Sequence, residues 1–98
     1  MNLIFSDKAW EEYMHWQNTD KQILKKINQL IKDIKRDPFD GLGKPEPLKH
    51  EFSGCWSRRI TDEHRLVYEV KESEIIVYVI SVGKRENNKV YDNLKDRI

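Results

Sequence analysis

The spacing of apolar residues near the start of the chain predicts a strand followed by a helix. Residues 2–5 form the candidate strand, and Ser6 is a favourable N-cap for a helix that runs to about Gln17. The apolar residues of this helix recur at helical spacing: Ala9, Trp10, Tyr13 and Met14.

The next stretch of the chain has a regular helical periodicity. Thr19 followed by Gln22 matches a capping box, which starts a second helix. Asp37 precedes Pro38, and the residue before a proline disfavours helical backbone, so this helix ends near Arg36. Its apolar positions repeat every 3.6 residues: Ile23, Leu24, Ile27, Leu30, Ile31 and Ile34.

The second half of the chain is predicted to be rich in strands. Residues 38–54 hold all three prolines and three of the four glycines, and a loop of that length in a small domain is often functional. Three strands follow, at about 56–61, 65–70 and 74–82. The third is apolar on both faces, which indicates an interior position in the sheet. A short C-terminal helix is predicted from apolar residues spaced four apart: Val90, Leu94 and Ile98.

These elements predict an α+β fold. The chain, residues 1–98, has the length of one domain with one modest core. We expect a twisted antiparallel sheet with the N-terminal helical hairpin packed on one face. The other face is then left open, and the charged residues of the strands should point there.

Charge is distributed unevenly although the net charge is only +1. Residues 21–36 contain six basic residues and one acid, Asp33. Such a stripe either binds nucleic acid through its phosphates or is a solvated helix face. On the first interpretation the candidate RNA contacts are Lys25, Lys26, Lys32 and, from the sheet, Arg58.

Other bulk features suggest a cytoplasmic protein without a cofactor. One cysteine, Cys55, cannot form an internal disulfide. Residues 1–5 are too short an apolar run for a signal peptide or a membrane span. No cluster of acids or histidines has the spacing of metal ligands, so no metal is predicted.

Three arginines, Arg58, Arg59 and Arg65, lie among the apolar residues of the predicted strands at about 56–61 and 65–70. Neighbouring residues of a strand point to opposite faces, so either Arg58 or Arg59 shares a face with Arg65. A two-residue turn would select Arg58, and a one-residue bulge would select Arg59. The pattern alone leaves both registers open.

Two guanidinium groups on one sheet face are suited to binding a phosphate. Metal-free RNA cleavage needs a base for the 2′-hydroxyl, cations for the phosphorane and an acid for the leaving oxygen. Glu46 is the candidate base, and Arg65 with its neighbour would bind the phosphate oxygens. The structural alternative is a set of weak surface ion pairs with Glu46, Glu69 or Asp62.

The chain resembles the RelE/YoeB toxins of bacterial toxin–antitoxin systems. The chain is similar to YoeB (also called Txe) from residue 1 to about 70. The residues that carry the resemblance are KKINQLIKDIKRDPFDGLGKPEPLKHEFSGCWSRRITDEHRLVYEV. The resemblance implies a twisted antiparallel sheet with a helical hairpin. It also implies an endoribonuclease that enters the ribosomal A site and cuts mRNA there.

The resemblance also implies roles for individual residues. Glu46 matches the general base of the family and Arg65 its transition-state arginine. Lys49 and Arg59 match the supporting cations, which favours Arg59 over Arg58 as the companion of Arg65.

The tail departs from the YoeB pattern after residue 80. It lacks the terminal histidine–tyrosine pair and instead resembles RelE, with VISVGKRENNKVYDNLKDRI. The functional arginine and tyrosine of RelE match Arg85 and Tyr91. The candidates for the general acid are therefore Tyr91, Arg85 and His50.

The implied partners are a cognate antitoxin and a ribosome carrying mRNA. Operator DNA would be bound only through the antitoxin, and no membrane contact is expected. The alternatives are a ParE-like toxin that poisons gyrase, or a non-catalytic module that binds antitoxin or nucleic acid.

Overall fold

Five strands and two α-helices form the part of the molecule that the structure describes. The structure is a computed structural model, and it describes residues 1–80. A 3₁₀ turn, His50–Phe52, lies between the second and third strands. The predicted order of elements is confirmed within this range, whereas the predicted C-terminal helix lies outside it. The elements are β1 (Asn2–Phe5), α1 (Asp7–Thr19), α2 (Lys21–Arg36), β2 (Glu46–Pro47), β3 (Cys55–Arg59), β4 (Arg65–Lys71) and β5 (Glu74–Val79).

The strands form one sheet in the order β1-β5-β4-β3-β2. The pairs β2–β3, β3–β4 and β4–β5 are antiparallel. The last two were predicted, whereas β2 lies in the stretch that was predicted to be a loop. The first strand pairs parallel to β5, with Leu3 opposite Ile75, so the sheet is mixed and the expectation of an antiparallel sheet fails at β1. Both helices and three strands separate β1 from β5 along the chain, so no tight turn imposes an antiparallel direction on this pair.

One face of the sheet is covered by both helices. The buried apolar residues of α2 are those of its predicted period, Ile27, Leu30 and Ile34. They pack in one cluster with Tyr68 and Val77 of the sheet. Burial of this continuous apolar stripe is the main force that holds the hairpin on the sheet.

The opposite face is only partly open. Leu48, just after β2, and Phe52 of the 3₁₀ turn pack on a second apolar cluster around Val67 and Tyr78. A bulge in β5 contributes to this cluster, because β4 residue Val67 pairs with Val79 while the next residue pairs with Val77. One charged residue, Glu69, borders this cluster, and its carboxylate accepts a hydrogen bond from the Tyr78 hydroxyl at 2.8 Å.

The predicted N-cap of α1 is confirmed, whereas that of α2 differs from the prediction. Ser6 caps α1, and its hydroxyl accepts the Ala9 N–H at 3.1 Å. The cap of α2 is Asp20, whose carboxylate accepts the N–H groups of Gln22 and Ile23, so the predicted Thr19 cap is wrong. The Thr19 hydroxyl instead donates to a carbonyl of the preceding helical turn.

Candidate active site

The register of β3 and β4 decides which arginine accompanies Arg65. Arg59 lies directly opposite Arg65, and Arg58 lies opposite Leu66. Directly paired residues share a face of the sheet, so Arg59 and Arg65 lie on the side away from the helices. Of the two registers that the sequence left open, the structure has the one that selects Arg59.

The turn between these strands sets that register. It spans residues 60–64, where the Ile60 N–H donates to the His64 carbonyl at 2.9 Å. The Thr61 hydroxyl oxygen accepts the N–H groups of Glu63 and His64 at 3.2 and 3.1 Å. These bonds stabilise a turn longer than the two-residue alternative.

The Arg65 side chain is held by carbonyls of the same turn. Its Nη1 donates to the carbonyl oxygens of Thr61, Asp62 and His64 at 2.8, 3.2 and 3.2 Å. His64 in turn packs edge-on against Trp16 of α1, with ring centroids 4.9 Å apart. The guanidinium is thus placed by the backbone of a turn that is attached to the helical hairpin.

Glu46 reaches the same face through β2. It lies opposite Ser57, and Ser57 shares a face with Arg59 two residues later. The carboxylate side chain is exposed. Within residues 1–80 no ion pair joins Glu46 to Arg59 or Arg65, so the alternative of a Glu46 surface ion pair with these arginines is not observed. Ser57 was not predicted from the sequence, and nothing in the strand pattern distinguished it.

Lys49 and His50 follow β2 on the surface. Lys49 is exposed and immediately precedes the 3₁₀ turn. His50 has a φ of 58°, a left-handed conformation that is uncommon for a residue with a side chain. Both lie within a few residues of Glu46. Arg85 and Tyr91, the two tail candidates, lie outside the described residues.

Arg58 does not lie on the candidate RNA-binding surface. Its side chain is completely buried on the helical side of the sheet, where Nη1 donates to an Asp33 carboxylate oxygen at 2.6 Å and Nε donates to the Tyr68 hydroxyl at 3.0 Å. The prediction that Arg58 contacts RNA is therefore wrong, because its donors are used inside the protein. Asp33 and Arg58 are 25 residues apart, so the sequence pattern gave no signal for this buried pair.

The electrostatics of Asp33 make the Arg58 pair sensitive to acid. The Leu42 N–H, together with the guanidinium groups of Arg36 and Arg58, lowers the pKa of Asp33 from 3.8 to about 2. A carboxyl group with a lowered folded-state pKa stabilises the fold above its unfolded pKa and loses this contribution as the pH falls.

We expect the Asp33→Asn variant to be less acid-sensitive than the wild type. The difference between their urea midpoints should be largest above pH 4 and should shrink between about pH 4 and pH 2. Asp62→Asn, which changes an exposed aspartate outside this network, is the control and should follow the wild type. A difference that stays constant down to pH 2 would contradict the assignment.

The basic stripe lines a shallow groove on the helical side of the molecule. The groove has a volume of about 500 Å³ and contains Lys21, Lys25 and Lys32 with Leu24 between them. Lys26, also predicted to contact RNA, is half-buried and does not line it. The groove therefore lies on the opposite side of the sheet from Glu46, Arg59 and Arg65.

Among residues 1–80, no three His, Cys, Asp or Glu side chains are grouped so that they could hold a metal ion. No helix in the same range is long and apolar enough to cross a bilayer.

The described residues thus form a small α+β domain, with a helical hairpin on one face of a mixed sheet and an arginine pair and a glutamate on the other face. Residues 5–83 match the family described as YoeB-like toxin of bacterial type II toxin-antitoxin system. The chain belongs to this family, which confirms the resemblance found in the sequence.

Individual relatives agree with this assignment. The chain is 61% identical over 77 residues to Toxin YoeB of Escherichia coli (strain K12), covering 79% of this chain and 92% of the relative. A chain of the heterotetrameric YoeB-YefM toxin-antitoxin complex from Staphylococcus aureus is 44% identical, with a TM-score of 0.78 and coverage of 84% of this chain and 95% of that chain.

A different relative also aligns with the tail of the chain. The mRNA interferase toxin RelE of Escherichia coli (strain K12) is 31% identical over 99 residues, covering 98% of this chain and 95% of RelE. The family match ends at residue 83, whereas the RelE alignment takes in nearly the whole chain. A YoeB-like body with a RelE-like tail is consistent with both matches.

Proposed function

We propose that this toxin is a ribosome-dependent endoribonuclease that cleaves mRNA in the A site. The observation that carries the proposal is the strand register, which puts Arg59 opposite Arg65 and Glu46 on the same face. A carboxylate and two guanidinium groups are the components that attack by a 2′-hydroxyl requires. The name of the RelE relative, an mRNA interferase toxin, supports the same activity.

Each residue of this face has a role in the proposed reaction. Glu46 accepts the proton of the 2′-hydroxyl while the 2′-oxygen attacks phosphorus. Arg65 and Arg59 donate hydrogen bonds to the phosphate oxygens, on which negative charge increases in the transition state. Lys49 adds a positive charge close to Glu46. The bond to the 5′-oxygen breaks, and a general acid supplies its proton.

Three residues are candidates for the general acid. Tyr91 and Arg85 are candidates through their resemblance to the functional tyrosine and arginine of RelE. His50 is a candidate from its position four residues after Glu46. No cofactor or metal ion enters the proposed mechanism.

The partners follow from the same proposal. A cognate antitoxin would bind this toxin, as YefM binds YoeB in the Staphylococcus aureus complex. The ribosome with its mRNA would be the substrate complex, and operator DNA would be contacted only through the antitoxin. Such a substrate places the toxin in the cytoplasm.

Toeprinting of mRNA on translating ribosomes tests the activity directly. We expect cuts at the A-site codon, a 2′,3′-cyclic phosphate, a 5′-hydroxyl, and activity that persists with chelator while ribosomes stay intact. A 5′-phosphate product, or loss of activity on chelation, would contradict the proposed chemistry. Trapped gyrase–DNA complexes without mRNA fragments would support the ParE-like alternative instead.

The lysine groove should bind ribosomal RNA without taking part in the chemistry. We expect Lys25→Gln combined with Lys32→Gln to weaken ribosome binding and to lower the salt dependence of log K by about 1 to 2. The single-turnover rate at saturating toxin should stay close to that of the wild type, because the groove lies on the other side of the sheet.

A second double variant controls for the loss of two positive charges. Lys8→Gln combined with Lys71→Gln removes the same charge from exposed positions outside the groove. It should keep the wild-type salt dependence. Equal effects of the two double variants would show that only net charge matters and that the groove is a solvated helix face.

A further inference from the structure

Arg58 is the one charged side chain that is buried among residues 1–80. All five of its N–H donors have acceptors. Besides Asp33 and Tyr68, described above, these are backbone carbonyls of the loop after α2: Leu42 at 3.1 Å, Asp37 at 2.6 Å and Asp40 at 3.2 Å. We call this set of bonds the Arg58 network.

The Arg58 network is poorly explained by stability alone. Replacing a buried ion pair with apolar side chains of similar volume is often neutral or stabilising. A guanidinium with five satisfied donors does, however, specify one arrangement of the segments around it. Here those segments are the end of α2, the loop of residues 37–45 and the strands β3 and β4.

The loop is shaped so that it can close over the Arg58 network. Gly41 has a φ of 129°, and a Cβ there would lie 2.0 Å from an Asp33 carboxylate oxygen. Gly43 has a φ of 78°, and a Cβ there would lie 2.8 Å from the side chain of Leu30. Both positions need glycine, because φ is positive and a Cβ would collide with Asp33 at position 41 and with Leu30 at position 43.

A short, stiff connection links this loop to Glu46. The Gly43 carbonyl accepts the Arg59 N–H at 2.7 Å, which attaches the loop to β3. Pro45 and Pro47 then flank Glu46, and each proline restricts the backbone φ. Few backbone torsions between Gly43 and Glu46 are therefore free to absorb a displacement of the loop.

We propose that Arg58 is a positioning residue for Glu46, because its buried network fixes the loop that places this carboxylate beside Arg59 and Arg65. The inference rests on the proposed ribonuclease function. Arg58 itself touches no substrate atom, since it lies on the helical side of the sheet. The neighbouring residue, Arg59, points to the opposite face of the sheet, where the proposed reaction takes place.

The test compares variants that loosen the Arg58 network to different extents. Arg58→Lys keeps the charge but has three donors for five acceptors. Tyr68→Phe keeps the buried ring but removes the hydroxyl that accepts from Arg58 and donates to the Pro38 carbonyl. It is the variant to use if Arg58→Lys does not fold.

Two controls separate positioning from other effects. Lys8→Ala removes an exposed positive charge from α1, outside the loop and the Arg58 contacts. Ile75→Ala shortens a fully buried side chain at the start of β5, where its strand partners are Leu3 and Val70, so it destabilises the core away from the loop. All variants are assayed at a temperature where each is fully folded.

We expect Arg58→Lys to lower the single-turnover cleavage rate by about tenfold to 100-fold, with unchanged ribosome affinity. Tyr68→Phe should lower it less. In both, the Leu42 and Leu48 amides, which donate to Asp33 and Cys55, should exchange hydrogen faster. Lys8→Ala and Ile75→Ala should keep the wild-type rate.

Three outcomes would overturn the inference. The first is a wild-type rate for Arg58→Lys or Tyr68→Phe while Glu46→Ala is slow. The second is unchanged amide exchange in the loop, and the third is an equal rate loss in Ile75→Ala. The first outcome leaves the proposed ribonuclease intact and removes only the role of Arg58. An inactive wild-type protein on ribosomes would instead remove the proposed function and this inference together.

Discussion

The Arg65→Ala variant should cleave ribosome-bound mRNA at least about 100-fold more slowly than the wild type, as expected when a charge-stabilising donor is removed. The reason lies in the placement of the guanidinium. Nη1 is held by three carbonyls of its own turn, so its position is established before substrate binds. Preorganised donors stabilise transition-state charge without reorganisation during the reaction.

The measurement is the single-turnover rate at saturating toxin. Arg65→Lys should also be slow, because an ammonium keeps the charge but cannot provide the planar pair of donors. Lys8→Ala, which removes an exposed positive charge from α1, is the control for loss of a surface cation. A near wild-type rate for a folded Arg65→Ala protein would exclude a role for this residue in the chemistry.

Glu46→Ala should have an effect of similar size, about 100-fold or more if Glu46 is the sole base. Glu46 is exposed on the face that carries Arg59 and Arg65, opposite Ser57. Glu46→Gln should be equally slow, because the amide has nearly the same shape but does not accept the proton. Ribosome affinity should change little in either variant.

Glu63→Gln is the control for Glu46, since Glu63 is an exposed acid in the turn between β3 and β4. It should retain the wild-type rate. Should Glu46→Gln cleave as fast as the wild type while Glu46→Ala is slow, shape and not proton transfer would explain the requirement. Wild-type rates for both would remove Glu46 from the mechanism.

Several parts of the fold could be predicted from local sequence. The period of Ile27, Leu30 and Ile34 predicted the buried face of α2, because a helix in a small domain buries one continuous stripe. Ser6 was identified as a cap because its hydroxyl is suited to the unpaired N–H groups of a helix start. The Thr19 prediction failed because Asp20, one residue later, supplies a stronger acceptor for the same groups.

The residues of the candidate site were found by a different route. The spacing of charges indicated a phosphate-handling face, but Glu46, Lys49, Arg59 and Arg65 received individual roles from the resemblance to the RelE/YoeB toxins. Family membership is now shown by the match over residues 5–83. The individual roles remain predictions.

The sequence by itself determined the order of the elements, the apolar stripe of α2 and the toxin family. Only the tertiary structure decided which of two adjacent arginines faces the reactive side. Side chains alternate along a strand, so a shift of one residue exchanges Arg58 and Arg59, and the turn at residues 60–64 selects the register. The burial of Arg58 likewise depends on acceptors from α2, the 37–45 loop and β4. These segments are distant in sequence and meet only in the folded chain, so no local pattern predicts a cavity with five acceptors.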